Sequence, residues 1–150
     1  MLGIIAYGSL INLQEIKSQR EHPAHAVPIK LDTFKRSFNQ QPAWRNDVGT
    51  HSAVLNVQTS EQNWLNAVCF CYAEFDFTDL DNREKGYSRI GVDADKISNY
   101  QRYNLPELEE IYIYRGKKEY QSSVLMPNPD YLNICLAGAK HWGEEFYYDF

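Results

Sequence analysis

The chain has 150 residues, 43% hydrophobic and 23% charged, the composition of one soluble globular domain. That length supports a single core and not two, so one domain is expected over 1–150. The net charge of −5 argues against a nucleic-acid surface, which needs a basic stripe to neutralise phosphates. In chain order, residues 2–6 read as a first strand, an apolar run that ends abruptly in Tyr7-Gly8-Ser9-Leu10. A glycine turn at a strand end presents backbone N–H groups and one hydroxyl at a surface, an array suited to an anionic or carbonyl oxygen. The apolar start has no basic segment before it, and Asn12 and Gln14 soon interrupt it, so a secretory signal is not expected. No stretch is long enough to span a bilayer, and the expected location is cytoplasmic.

Ile11 to His22, with Ile11, Leu13 and Ile16 among charged residues, predicts a short surface helix that Pro23 stops. Ala26–Phe34 predicts a strand in which Pro28 implies an edge or a bulge. Phe38–Gly49, with two glutamines, Pro42, Trp44 and Asn46-Asp47, reads as a loop that can serve as a flap. Ala53–Val57 and Asn66–Ala73 read as two strands joined by a polar turn over 58–63; the second is apolar on both faces, as in a covered sheet. Cys69 and Cys71 share one face of that strand. With Cys135 they make an odd count, which predicts reduced, buried thiols rather than a disulfide framework or a zinc site.

Thr78 is a candidate helix N-cap with Asp81 three residues on, and Gly86 stands where that helix would stop. Asp79–Lys85 is then one or two helical turns with Glu84 in the last. Tyr87–Val92 resumes an extended segment. Ile111 and Ile113 alternate with Tyr112 and Tyr114 as in a half-buried strand, with Tyr120–Met126 expected to pair across the Arg115–Glu119 turn. Asn128-Pro129 is a helix start, and a helix over 130–142 puts Leu132, Cys135, Leu136 and Ala139 on one stripe. The acidic, aromatic tail Glu144–Phe150 is expected to close the core. One α+β domain with a mostly antiparallel sheet follows.

Glu84 is the candidate for chemistry. A carboxylate at the end of a short helix, beside glycine and tyrosine, becomes a usable base near neutrality once partly desolvated. The alternative is a surface pair with Arg83, Lys85 or Arg89. Ser9 with His51 can be imagined as nucleophile and base, but no nucleophile-elbow motif surrounds Ser9. His22, His25, His51 and His141 show no metal-ligand spacing, and no metal is expected.

Taken together and in order, Tyr7-Gly8-Ser9-Leu10 after the first strand and Leu80-Asp81-x-x-Glu84 followed by Tyr87-x-Arg89 resemble the γ-glutamylcyclotransferase-like family. Arg36-Ser37-Phe38, Ala53–Val57 and Pro127-Asn128-Pro129-Asp130-Tyr131-Leu132 with Ala137-Gly138 fit the same pattern, so the resemblance runs from residue 1 to about 142. Lys85 between Glu84 and Gly86 departs from it, since many relatives pass directly from Glu to Gly. The resemblance implies a small mixed, mostly antiparallel β-barrel with flanking helices and one cavity. It implies that the loop of Tyr7, Gly8, Ser9 and Leu10 holds a γ-glutamyl group, with Glu84 as general acid/base and Tyr87, Arg89 and Tyr131 as cavity or support residues. The implied reaction is closure of the substrate's α-amino nitrogen on its own γ-carbonyl, giving 5-oxoproline and a free amine or amino acid, with no cofactor. The implied partner is a small γ-glutamyl compound, not nucleic acid or membrane; nothing in the sequence fixes an oligomeric state. Two other readings stand beside the enzyme: a non-catalytic binding module of the same fold, and an interaction domain using Tyr147, Tyr148 and Phe150.

Overall fold

Alternation along the first strand sets the architecture. In the computed structural model, which describes residues 1–17, 21–42, 51–100 and 102–150, Leu2–Ala6 forms β1. Ile5 packs into one apolar cluster, and Ile4 and Ala6 into another on the opposite face. The remaining strands are β2 (His25–Gln40), β3 (Ser52–Tyr72), β4 (Tyr87–Gly91), β5 (Ile97–Asn99), β6 (Glu110–Gly116) and β7 (Met126–Pro127). Four α-helices lie among the described residues: α1 (Leu13–Lys17), α2 (Thr78–Arg83), α3 (Pro129–His141) and α4 (Glu144–Asp149).

The strands run in the order β4-β6-β1-β3-β2-β5, with β7 beside the start of β3. β1 pairs antiparallel with β3 and parallel with β6; the β7–β3 pair is also parallel and the other pairs are antiparallel. The fold is therefore α+β with a mixed, mostly antiparallel sheet, as expected. Its ladder stays open. Between β4 and the far half of the β2–β3 arm, side chains bridge the gap that strand pairing would close in a full barrel. Gln40 Nε2 donates to Gly86 O at 2.8 Å, Gly116 N to Asn56 Oδ1 at 2.7 Å, and the Tyr87 hydroxyl to Leu55 O at 2.8 Å.

The centre of the sheet lies under apolar side chains on both faces. Leu65, Ala67, Cys69 and Cys71 join the cluster inside the curved sheet, whereas Val68, Phe70 and Tyr72 join the one beneath the helices. Each large apolar side chain buried this way contributes roughly 1.5–3 kcal/mol. Exposed ion pairs such as Lys30–Glu145, at 3.4 Å, add at most about 1 kcal/mol. Stability is therefore concentrated in β1 and β3. All three cysteines are free and buried there or against it.

Several sequence expectations are corrected. The polar stretch 58–63 is no turn, because β3 runs continuously from Ser52 to Tyr72. Asp32 pairs with Trp64 and Phe34 with Thr59, so β3 residues 60–63 bulge opposite the single residue Thr33, which takes a left-handed φ of 66°. The polarity of that stretch marks a solvent-facing bulge. Pro28 stands where β5 has not yet begun to cover β2, since β5 pairs only with Ile29–Leu31, and this edge position tolerates its missing N–H. The second strand extends to Gln40, six residues beyond expectation, because 34–40 find partners in 54–59.

The first helix is confined to Leu13–Lys17 among the described residues. Residues 18–20 of the expected helix, and 43–49 of the expected flap, lie outside the described residues. Tyr120–Met126 does not pair with β6, whose two edges are already taken by β1 and β4. In α3 the buried stripe is Tyr131, Cys135, Gly138 and Ala139, rotated from the expected one because Leu132 and Leu136 are only half-buried. The tail does close the core through Phe146, while Tyr148 is exposed.

Gly138 shows how closely α3 approaches the turn after β1. A Cβ there would sit 2.7 Å from the Asn12 nitrogen and 2.8 Å from its Cα. Asn12 Nδ2 donates to Ile134 O at 3.2 Å and Trp142 Nε1 to Ile11 O at 2.9 Å, so backbone rather than a movable side chain meets the new methyl. Gly138→Ala is expected to destabilise the protein by about 1–3 kcal/mol despite the better helix propensity of alanine. Urea denaturation would check this, and unchanged stability would mean that α3 and the turn do not pack as described.

Candidate active site

The turn after β1 is held from three sides. Ile11 N donates to Gly8 O at 3.1 Å and Asn12 N to Ser9 O at 3.0 Å, which winds Ser9–Ile11 into one tight helical turn. Behind the turn, Arg36 Nε donates to Tyr7 O at 2.8 Å. In front, the Tyr131 hydroxyl accepts the Ser9 N–H at 3.3 Å and a further backbone N–H from Leu55. Tyr131 is placed by the start of α3, where Asn128 Oδ1 accepts the Tyr131 N–H at 2.9 Å. Gly8 is required here by proximity, because a Cβ would lie 2.6 Å from the Tyr131 hydroxyl.

Glu84 arrives from the opposite side, as the residue that caps the end of α2. The start of that helix differs from expectation. Thr78 is its first residue, and Asp76 does the capping, accepting from Thr78 N at 2.9 Å and from Thr78 Oγ1 at 2.7 Å. At the far end Glu84 N donates to Leu80 O at 2.8 Å and Tyr87 N donates to Glu84 O at 2.7 Å. The Glu84 side chain is 12% exposed, and its Oε1 lies 3.6 Å from Arg83 Nε. The local ion pair and the enclosed position are thus both present. The pair does not take Glu84 to the outer surface.

Both segments line one cavity of about 60 Å³, together with Ile4, Ile5, Ala6, Leu55, Tyr87, Tyr114 and Tyr131. That is well below the roughly 300 Å³ or more of a drug-sized ligand pocket, and suits the head of one small molecule. Four tyrosines face the carboxylate. Burial first raises the phenol pKa of Tyr7, Tyr87, Tyr114 and Tyr131 above the ordinary value; for Tyr114 the hydrogen bond and charge of Asp81 come next, and the Glu84 charge adds a smaller push to all four. Their hydroxyls cross-brace the walls: Tyr7 donates to Tyr114 O at 2.6 Å and Tyr87 to Leu55 O at 2.8 Å.

Of the residues singled out by sequence, Tyr7, Gly8, Ser9, Leu10, Glu84, Tyr87 and Tyr131 converge on this cavity. Arg89 does not. Alternation along β4 would give it the face of Tyr87, yet its guanidinium lies away from the cavity, 3.6 Å from the Phe77 ring centroid and 3.5 Å from Asp81 Oδ2. Leu55 and Tyr114 were not anticipated as lining residues. Tyr114 belongs to the recognised β6 alternation, but only the curl of the β2–β3 arm shows which strand face the cavity uses. No hydrogen bond joins Ser9 to His51 among the described residues, and His51 is exposed. No group of three or more His, Cys, Asp or Glu suited to a metal ion occurs among them. No helix of the described residues is long and apolar enough to cross a membrane.

No protein-family sequence model matches the chain, and no curated protein matches it by sequence. Solved structures do match. A γ-glutamyl cyclotransferase superposes with a TM-score of 0.71 and 22% identity, over 98% of this chain and 83% of that one. An uncharacterized human protein gives 0.68 and 20% over the same shares. A yeast γ-glutamyl cyclotransferase specific to glutathione gives 0.52 and 16%, over 92% of this chain and 79% of that one. The chain therefore has the γ-glutamyl cyclotransferase-like fold. The resemblance carried by its short motifs extends to the three-dimensional arrangement.

The buried phenols set the alkaline response of the whole protein. Tyr7, Tyr87, Tyr100, Tyr114 and Tyr131 all titrate above the ordinary value because of burial, and burial pushes Tyr72 up to about 12. Above about pH 10 the unfolded chain releases these protons while the folded chain keeps them, so stability falls as pH rises toward the folded-state values. Each such group costs roughly 1.4 kcal/mol per pH unit in that window. Arg36, brought down to about 10 by burial, acts in the opposite direction, but it is one group against six. Urea midpoints measured from pH 9 to 12, with phenolate absorbance followed in parallel, should drop steeply above pH 10. Ionisation of these six phenols should appear together with unfolding, and phenolate absorbance from all eleven tyrosines in a still-folded protein would contradict the burial described.

Proposed function

We propose that this protein is an enzyme that cyclises a γ-glutamyl group to 5-oxoproline and releases the attached amine or amino acid. The observation that carries this reading is the meeting of Glu84 with the Tyr7–Leu10 loop in one small cavity, although 74 residues separate Glu84 from Leu10 in sequence. The shared fold with proteins described as γ-glutamyl cyclotransferases supports it.

The substrate's α-ammonium must first lose a proton, and Glu84 is the carboxylate in reach to take it. The free amine then forms a C–N bond to the γ-carbonyl carbon, and the carbonyl oxygen gains negative charge. Collapse of this tetrahedral species breaks the original γ-C–N bond as the proton held on Glu84 passes to the departing nitrogen. The second proton on the ring nitrogen then leaves through Glu84, giving the neutral lactam and a protonated amine. Atoms balance without a further reactant: one γ-glutamyl compound gives 5-oxoproline and one amine. Ser9 N–H is already committed to Tyr131, so loop donation to the substrate falls to the N–H groups of Gly8 and Leu10, for which no acceptor occurs among the described residues. The tyrosine-lined walls fold a flexible γ-glutamyl chain toward the ring-closing shape, which is an orientation effect.

The test is release of 5-oxoproline, followed by mass spectrometry, from a panel of γ-glutamyl amino acids, γ-glutamyl amines and glutathione. Wild-type protein is expected to turn over at least one of them. Glu84→Gln should lower kcat by at least about a hundredfold with little effect on folding, in line with loss of a general acid/base. Full activity in that variant would sink the assigned mechanism, and no release by the wild type from any compound would sink the enzymatic reading.

A further inference from the structure

Arg36 lies outside the cavity, yet it is placed to govern what the cavity holds. Its side chain is half-buried, with Nε donating to Tyr7 O at 2.8 Å and Nη2 to Asn66 O. The Phe150 ring covers it, 4.2 Å from guanidinium carbon to ring centroid. No carboxylate pairs with it among the described residues, although an unpaired cation is costly to bury. Burial alone pulls its pKa down to about 10, with neighbouring phenols and Cys135 pushing the other way, so it stays cationic at neutral pH.

The consequence lies in the geometry of one peptide unit. The Tyr7–Gly8 peptide is trans, so its C=O and N–H point in opposite directions. With the carbonyl facing Arg36, the Gly8 N–H faces away from the cation, toward the cavity that Gly8 lines. A cation on the carbonyl polarises the amide and strengthens its N–H as a donor, and in a poorly screened interior the charge is felt across the peptide. The cavity therefore has a positive end behind Gly8 and a negative end at Glu84.

We infer that Arg36 is a positioning and specificity-determining residue, which acts through the Tyr7–Gly8 peptide to make the loop select the α-carboxylate of a zwitterionic amino-acid head. This rests on the cyclotransferase reading, whose γ-glutamyl substrates carry a free α-amino and a free α-carboxylate group, and deepens it by assigning the recognition of that carboxylate to Arg36. The ammonium meets Glu84 and the carboxylate meets the loop.

The experiment compares the binding of two probes to the full chain by calorimetry: 5-oxoproline, which keeps the α-carboxylate, and 5-oxoprolinamide, its neutral counterpart. Wild type should favour the carboxylate by about tenfold or more, the scale of one charge-assisted donor in an enclosed site. Arg36→Met should bring the two affinities within about threefold of each other, and Arg36→Lys should restore part of the preference. If Arg36 served the fold alone, Arg36→Met would weaken both probes together and leave their ratio unchanged, which overturns the inference, as does a wild type without preference. Should Arg36→Met fail to fold, Phe150→Ala decides. Admitting water to the guanidinium should cut the preference about threefold, and an unchanged ratio overturns the inference. The two readings fail separately. Wild type that prefers 5-oxoproline but releases none from any γ-glutamyl compound refutes the enzyme and not the role of Arg36; turnover with an Arg36-independent ratio does the reverse.

Discussion

The mismatch at the β2–β3 bulge, four residues against Thr33, is the constraint on which the site depends. A regular hairpin of that length would project away from the other strands. With the bulge, the far half of the arm turns back over β4 and β6, and Leu55, Asn56 and Gln40 come to rest against Gly86, Tyr87 and Gly116. Thr33 takes a left-handed backbone that β-branched residues avoid, at a cost of about 1–3 kcal/mol. The regular ladders on both sides, with Leu31 and Phe34 buried, hold it there. The gap that the ladder leaves open is crossed by buried amide side chains, and such bonds are expensive to leave unmade in the interior. That gives the arm one resting place and so fixes the cavity wall contributed by Leu55.

Tyrosine rather than phenylalanine around the cavity follows from the same need. Each wall is a strand end or a turn with backbone groups that no ladder satisfies. The hydroxyls of Tyr7 and Tyr87 donate to such carbonyls, and that of Tyr131 accepts such N–H groups. A phenylalanine would supply the same apolar wall and leave a buried polar atom without a partner, a loss of about 1–3 kcal/mol. The high aromatic content seen in the sequence is thus partly structural bracing, concentrated where the chain makes its site.

The sequence was most legible where local pattern and burial agree. β1, β4, β6 and α3 lie within a residue or two of their expected positions because their alternation, or the Asn128-Pro129 start, acts locally. The convergence of Glu84 with Tyr7–Leu10 was legible only through motif order, since neither segment alone contains the information that they meet. The polar run 58–63 misled because polarity signals exposure, and exposure is common to turns and bulges; what separates them is the partner strand thirty residues away. Arg89 misled in a similar way: it follows Tyr87 by two, so strand alternation should put both on one face, yet Tyr87 turns its hydroxyl to Leu55 while Arg89 lies on Phe77. Arg36 stood in a recognised segment, but a burial of this kind leaves no local signature. Its acceptors are the carbonyls of Tyr7 and Asn66, about thirty residues distant on either side.

A cavity of this size places limits on any chemistry proposed for it. On the cyclotransferase reading nucleophile and electrophile belong to one molecule, so the protein need not recruit a second reactant or supply a nucleophile of its own. The remaining barrier is conformational and protonic: bending a four-atom chain, removing one proton and returning it. A single carboxylate and a polarised loop suffice for those steps, and the enclosing phenols, held protonated at neutral pH by burial, leave Glu84 as the one carboxylate among the residues that line the cavity. The departing group need not be enclosed at all, since the space lies at the head of the substrate. On this reading, discrimination is exercised on the γ-glutamyl moiety, through charge at both ends of the cavity, and tolerance of the departing amine follows from the same geometry.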